Sequence, residues 1–187
     1  MSSRDIWSRA GSLEIRDLLA SLLSTRLMNV RSGSPIYVCS PFLTDFPLFD
    51  NSFGQFATMF RNRTDFAEKR EILFSDSLIE LSYTAPVRII TVQGEYSSAF
   101  LSKVIQQQNP NVSARFASQL FHEKGLASES FYIEGSMNFT YNGVYRREEK
   151  IVLHTWETPA GRQKISSASL EFERLWNNRA PFEVPRH

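Results

Sequence analysis

The run Val87-Arg-Ile-Ile-Thr-Val92 constrains the fold of this chain more than any other segment. It is short, β-branched and almost continuously apolar, the pattern of a strand covered on both faces. Helical spacing flanks it on either side. Residues 76–84 turn Leu78, Ile79 and Leu81 inward and stop at Pro86, and residues 97–108 are amphipathic and stop at Asn109-Pro110. A doubly covered strand between two helices belongs in a layered α/β domain.

The upstream chain repeats this rhythm. Leu13, Ile15, Leu18, Leu19, Leu22, Leu23 and Leu27 recur at helical spacing over residues 12–28. Ser12 is the expected N-cap, and Glu14 and Asp17 suit the positive end of the helix dipole. The breaker run Arg31-Ser-Gly-Ser-Pro35 ends the helix, and residues 36–40 read as a buried strand stopped by Pro41. Residues 42–53 are irregular and aromatic, with Phe42, Phe46 and Phe49 expected as core plugs rather than base-stacking platforms. Residues 55–62 read as a short helix. After Pro110 the elements shorten: 112–116, 119–124, 131–134 and 150–154 are strand candidates separated by polar turns. The last helix covers 163–176, with Leu170, Phe172, Leu175 and Trp176 on its buried side. The expectation is one α/β domain over 1–187, with a mixed, largely parallel sheet flanked by helices on both faces. Residues 1–30 supply an N-terminal helix and 179–187 a surface tail.

Composition excludes several classes. Hydrophobic residues make up 42% of the 187 positions, too many for a disordered chain. A single cysteine, Cys39, forbids an intramolecular disulfide and a cysteine zinc cage, and inside an apolar strand it reads as an inert packed thiol. Net charge is +1, so any anion site must be a local patch. No apolar run is long enough to span a bilayer, so no stable membrane insertion is expected. The charged N-terminus lacks the pattern of a secretory signal, which makes the cytoplasm the expected compartment.

The chemistry concentrates between residues 120 and 154. On a strand, His122 and Lys124 would project from one face, two residues apart. A second strand leads into Gly135-Ser-Met-Asn138, a turn of small residues that lets amides and a carboxamide approach an anion closely. Imidazole, ammonium, hydroxyl and carboxamide together form a set suited to phosphoryl transfer, with the histidine as nucleophile or proton carrier.

This pattern resembles the phospholipase D superfamily, whose signature is H-x-K, an Asp five positions on, a G-S-x-N turn and a downstream carboxylate. His122-x-Lys124 and Gly135-Ser136-x-Asn138-Phe139-Thr140 match, and Glu149 occupies the place of the downstream carboxylate. Glu129 stands where the family has Asp. The resemblance implies a phosphodiesterase that needs neither metal nor cofactor: one histidine attacks phosphorus to give a phosphohistidine, and a second protonates the leaving oxygen. Lys124 and Asn138 would hold phosphate, Ser136 would support the turn or the phosphate, and Glu149 would orient His122. This chain has one copy of the motif, since His154 and His187 lack the lysine partner and the turn. The resemblance therefore implies a homodimer with two His122 facing each other across a two-fold axis.

Arg146, Arg147 and Lys150 fit either a nucleic-acid backbone patch or a charged loop neutralised by Glu148 and Glu149. Three functions stand open at this point. They are a metal-independent nuclease acting on DNA or RNA, a nucleic-acid-binding scaffold within a larger complex, and a lipid-directed phospholipase. Size and the single motif favour the first. More narrowly, the Ser40-Pro-Phe…Asp45-Phe-Pro…Asp50-Asn-x-x-Gly54 segment is similar to a phospholipase D-like protein of bacterial gene clusters that insert 7-deazaguanine bases into DNA. That likeness implies a place in DNA modification or restriction-type defence beside other proteins of such a cluster.

Overall fold

The computed structural model describes residues 3–29, 33–62, 68–105 and 111–181. The doubly covered strand predicted from sequence, β5 (Val87–Val92), lies inside an eight-stranded sheet. Its neighbours are β2 (Ile36–Cys39) and β6 (Val112–Ala117), both parallel to it. Next to β2 come β7 (Gly125–Ala127), β8 (Phe131–Gly135), β9 (Lys150–Thr155) and β1 (Arg4–Trp7), each antiparallel to the one before. The short strand β10 (Ala180–Pro181) closes the far edge against β6. The sheet is mixed as expected, and its parallel pairing is confined to β2-β5-β6. Those strands are joined through helices, whereas β7 and β8 are joined by a tight turn and run antiparallel.

Two cores cover the two faces. Ile36 and Val38 alternate with Tyr37 and Cys39 along β2, and Val87 and Ile89 alternate with Ile90 and Val92 along β5. The first set packs on α1 (Glu14–Met28), α2 (Phe74–Ser82) and α3 (Glu95–Ile105); the second packs on α5 (Pro159–Asn177). Thr158 caps α5 by accepting from the Gly161 amide, with Pro159 in its first turn. A separate ribbon, β3 (Pro47–Asp50) with β4 (Glu71–Leu73), lies outside the main sheet.

Several local expectations are corrected. Ser12 does not cap α1: Leu13 holds the N-cap position without a side-chain bond, and the Ser12 hydroxyl donates instead to Glu14. Residues 42–53 are not wholly irregular, because 47–50 find a partner in 71–73. Phe46 and Phe49 are core plugs, but Phe42 is 62% exposed. The helix expected over 55–62 is a single 3-10 turn, Ala57–Met59. Leu170 lies on the solvent side of α5, while Phe172, Leu175 and Trp176 are buried. Residues 1–30 hold β1 as well as the helix. The polar end 106–108 of the third helix and the tail beyond 181 lie outside the described residues.

Candidate active site

Four strand ends meet at one edge of the sheet: the C-terminal ends of β2 and β8 and the N-terminal ends of β7 and β9. The register sets this, since Cys39 pairs with Gly125, Gly125 with Glu134, and Gly135 with Ile151. His122 and Lys124 precede Gly125, the turn 135–138 leaves β8, and Glu149 precedes β9. Residues scattered over 28 positions of sequence, from His122 to Glu149, thus arrive at one place.

The turn is tightly determined. Gly135 has φ +153, and a Cβ there would lie 2.2 Å from the Lys150 carbonyl oxygen, so no larger residue fits without displacing β9. Met137 and Phe139 point into the core, and Phe139 stacks on Phe74 with ring centroids 5.7 Å apart. That alternation turns Ser136 and Asn138 outward. The Ser136 amide donates to the Lys150 carbonyl (3.0 Å), and the Lys150 amide donates to Ser136 Oγ (3.1 Å). The Ser136 hydroxyl donates in turn to Glu149 Oε2. After the turn, the Thr140 side chain caps the short helix α4 (Tyr141–Tyr145).

Two serines that the sequence reading missed hold this assembly. Ser8, just past β1, donates its amide to the Glu149 carbonyl (2.9 Å) and accepts from the Glu149 amide at its hydroxyl (3.0 Å). The buried Ser40 hydroxyl donates to the Phe42 carbonyl (2.7 Å), accepts from the Phe139 amide (3.1 Å) and lies 3.4 Å from Asn138 Oδ1. Asp45 braces the loop between β2 and β3, accepting from the Ser75 amide (3.1 Å) and hydroxyl (2.6 Å) and pairing with Lys103. Serines are common in turns, and nothing local marks these two; only their partners across the fold do.

The other half of the site is looser. Residues 119–124 do not form the expected strand, because β2 ends at Cys39, ahead of Pro41, and β8 at Gly135, leaving a longer β7 little to pair with. His122 and Lys124 therefore sit on an irregular segment, and the same-face relation drawn from strand alternation does not hold. Lys124 Nζ curls back to donate to the His122 carbonyl (3.0 Å). The His122 imidazole is exposed and makes no hydrogen bond among the described residues. Glu149 is buried and bonded to Ser136, with no hydrogen bond joining it to His122. Glu129 is exposed, and its charge acts on Arg26, whose guanidinium burial pushes down and Glu129 pulls back up.

The basic residues divide. Arg146 is exposed and lies 5.3 Å over the Tyr141 ring, and Arg147 is exposed; neither pairs with Glu148 or Glu149 among the described residues. Lys150 turns to the edge strand, pairing with Asp5 (3.1 Å) and lying 5.0 Å over the Trp7 ring. His154 belongs to a different place, buried on the α5 face with Nε2 on Glu134 (2.8 Å). Cys39 is wholly buried and burial pushes its thiol far up, as expected of an inert residue.

No family model matches this sequence, and no curated protein matches it. Solved structures do. The phospholipase D family member Nuc from Salmonella typhimurium superposes with a TM-score of 0.62 at 15% identity, covering 98% of this chain and 99% of that one. NucT from Helicobacter pylori gives a TM-score of 0.57 at 13% identity, covering 96% and 99%. TrmBL2, an archaeal chromatin protein whose structure shows a mode of DNA binding, gives 0.54 at 12% identity, covering 96% of this chain and 55% of that one. The chain has the phospholipase D fold, and two of these neighbours match it along nearly their whole length. No helix among the described residues is long and apolar enough to cross a membrane.

Proposed function

We propose that this chain is a metal-independent phosphodiesterase of the phospholipase D type that cuts nucleic acid, with an active site completed by a second copy of itself. The observation that carries the reading is the meeting at one sheet edge of the His122–Lys124 segment, the Gly135–Asn138 turn and buried Glu149. In this reading His122 attacks phosphorus, the P–N bond forms as the P–O bond to the leaving nucleotide breaks, and His122 of the second copy gives that oxygen its proton. Water then attacks phosphorus, releasing His122 and the phosphate end, while the second imidazole takes the water's proton. Lys124 and Asn138 hold the non-bridging oxygens. Ser136 and Glu149 keep the turn in shape, and Glu149 meets His122 once the segment closes around substrate. Arg146 and Arg147 contact the flanking phosphates; Lys150, committed to Asp5 and Trp7, contributes less.

Exposed apolar side chains at the mouth support the second copy. Phe42 leaves β2 at the site, and Leu120, two residues before His122, is 84% exposed. Burying both against a symmetry mate removes apolar surface from water and brings the two His122 segments together. The match along 99% of Nuc and of NucT, against 40% of a phosphatidylserine synthase of the same fold, supports a small nuclease over a lipid enzyme. The match to a chromatin protein supports nucleic-acid binding, and keeps a scaffold as the second reading, favoured by the unsupported His122 ring. With the likeness to 7-deazaguanine cluster proteins, we place the activity on DNA, in the cytoplasm, in modification or restriction.

The test is cleavage of single- and double-stranded DNA and RNA in EDTA by the parent and by His122→Ala, with the mass in solution measured alongside. Cleavage that persists in EDTA and vanishes in the variant, from a dimer, supports the reading. A strict monomer ends the two-histidine mechanism, and a dimer that cuts nothing but binds DNA makes the scaffold the answer. DNA carrying 7-deazaguanine, compared with ordinary DNA, tests the narrower placement.

A further inference from the structure

A wide cleft among the described residues sits away from the mouth where His122 lies. It has a volume of about 760 Å³ and runs between α1, α4 and the β3–β4 ribbon. Arg16 of α1, Phe49, Asp50 and Arg70 of the ribbon, and Tyr141 and Tyr145 of α4 give its character. The two tyrosines stack face to face, with centroids 4.9 Å apart and planes 17° from parallel, and the Arg146 guanidinium lies 5.3 Å from the Tyr141 centroid. The Tyr145 hydroxyl is fixed on the Pro47 carbonyl (2.6 Å), and burial pushes its ionisation up against the pull of Arg16. Asp50 is held by the Ser52 hydroxyl and amide (2.5 and 3.0 Å), which keep its carboxylate below the usual range and so ionised.

This mixture separates the possible ligands. Asp50 and Glu71 line the same space as Arg16 and Arg70, which is poor for a row of phosphates but suits a ring edge that both donates and accepts. An exposed tyrosine backed by a second ring offers a stacking face for a planar heterocycle. The cleft is also tied to the phosphate turn. Tyr141 is three residues beyond Asn138, so their Cα atoms are at most about 11 Å apart. Its amide is pinned on Thr44 Oγ1 (3.0 Å), while the Thr44 amide is pinned on the Phe139 carbonyl (3.2 Å). The separation of Tyr141 from Asn138 is within reach of a nucleotide next to a phosphate held at Asn138.

We infer that this cleft is a nucleobase subsite: an unstacked base of a single strand, next to the phosphate at Asn138, lies on Tyr141 and presents its edge to Asp50 and Arg70. The inference rests on the nuclease reading and adds to it a requirement for unpaired substrate and a place where base identity is read. Arginine side chains alone give affinity without sequence; a closed polar edge gives selection.

The experiment uses the full chain carrying His122→Ala, so that substrate stays intact, and a fluorescently labelled single-stranded deoxyoligonucleotide followed by anisotropy. A second oligonucleotide lacks bases at its central positions. Tyr141→Ala is expected to weaken binding of the intact strand about tenfold, with Tyr141→Phe close to the parent. The abasic strand should bind the parent more weakly than the intact one and should not distinguish parent from Tyr141→Ala. Arg70→Ala, at an exposed position, is the second variant should Tyr141→Ala fail to fold, and is expected to lose roughly threefold for the intact strand. Intact and abasic strands that bind alike, or a folded Tyr141→Ala that binds as the parent does, overturn the subsite and leave the nuclease reading standing. A folded parent that binds no oligonucleotide overturns both.

Discussion

The two halves of the candidate site are held in different ways. The turn 135–138 is fixed from every side: Gly135 fits flush against β9, Met137 and Phe139 are buried, Ser136 is bonded to Lys150 and Glu149, and Ser8 clamps Glu149 from the edge strand. The segment 122–124 is irregular, with His122 and Glu123 exposed and Lys124 half-buried, and its one side-chain bond among the described residues is the local contact from Lys124 to the His122 carbonyl. Preorganised donors lower a barrier because they need not reorganise as charge develops. The turn 135–138 is in that state within one chain and the His122 segment is not, which is the division expected under the proposed function if the histidine is positioned only when substrate and a second copy arrive.

The rigid half depends most on Phe139. It is fully buried, stacks on Phe74 and carries the turn, so Phe139→Ala is expected to cost about 3–5 kcal/mol. Urea unfolding monitored by circular dichroism measures this. A loss under 1 kcal/mol, roughly that of a surface truncation, would mean that the turn does not depend on its core anchor. Ser8→Ala comes next. It leaves the buried Glu149 amide without its acceptor, and an unmade bond of that kind costs about 1–3 kcal/mol. The same variant should reduce cleavage more than its stability loss explains at temperatures where it remains folded, because Glu149 loses its brace. Activity that follows the folded fraction alone would reduce Ser8 to a structural residue.

What was legible in the sequence follows the range of the interactions. His122, Lys124, Ser136, Asn138 and Glu149 stand within 28 positions and carry their own spacing, and the doubly covered β5 announces itself by composition. Ser8 was invisible because its partner is 141 positions away, and Ser40 because its partners Asn138 and Phe139 lie 98 and 99 positions away. The edge strand β1 has a mostly exposed pattern, with no alternation to read; it is a strand only because β9 offers it a free edge. Phe42 and Leu170 were assigned inward by residue type, yet a large apolar side chain at a strand end or on a long helix need not face the core. The extension of β7 to residue 119 failed for a related reason: alternation describes a strand's faces, not whether a neighbour exists to bond it.

Stability should respond least at His122. His122→Ala removes an exposed ring with no hydrogen-bond partner among the described residues, so unfolding free energy should change by no more than about 0.5 kcal/mol while cleavage is lost. Native-state hydrogen exchange reads the same contrast without a mutation. The amides of Ser136, Glu149 and Lys150 are each bonded, to the Lys150 carbonyl, Ser8 Oγ and Ser136 Oγ respectively, and should exchange slowly. The amides of residues 122–124 should exchange fast in the free protein. Addition of a non-cleavable single strand should slow them and leave the turn unchanged. Slow exchange at 122–124 before ligand arrives would mean the nucleophile is as preorganised as the cradle, and the division of labour between the two halves would be wrong.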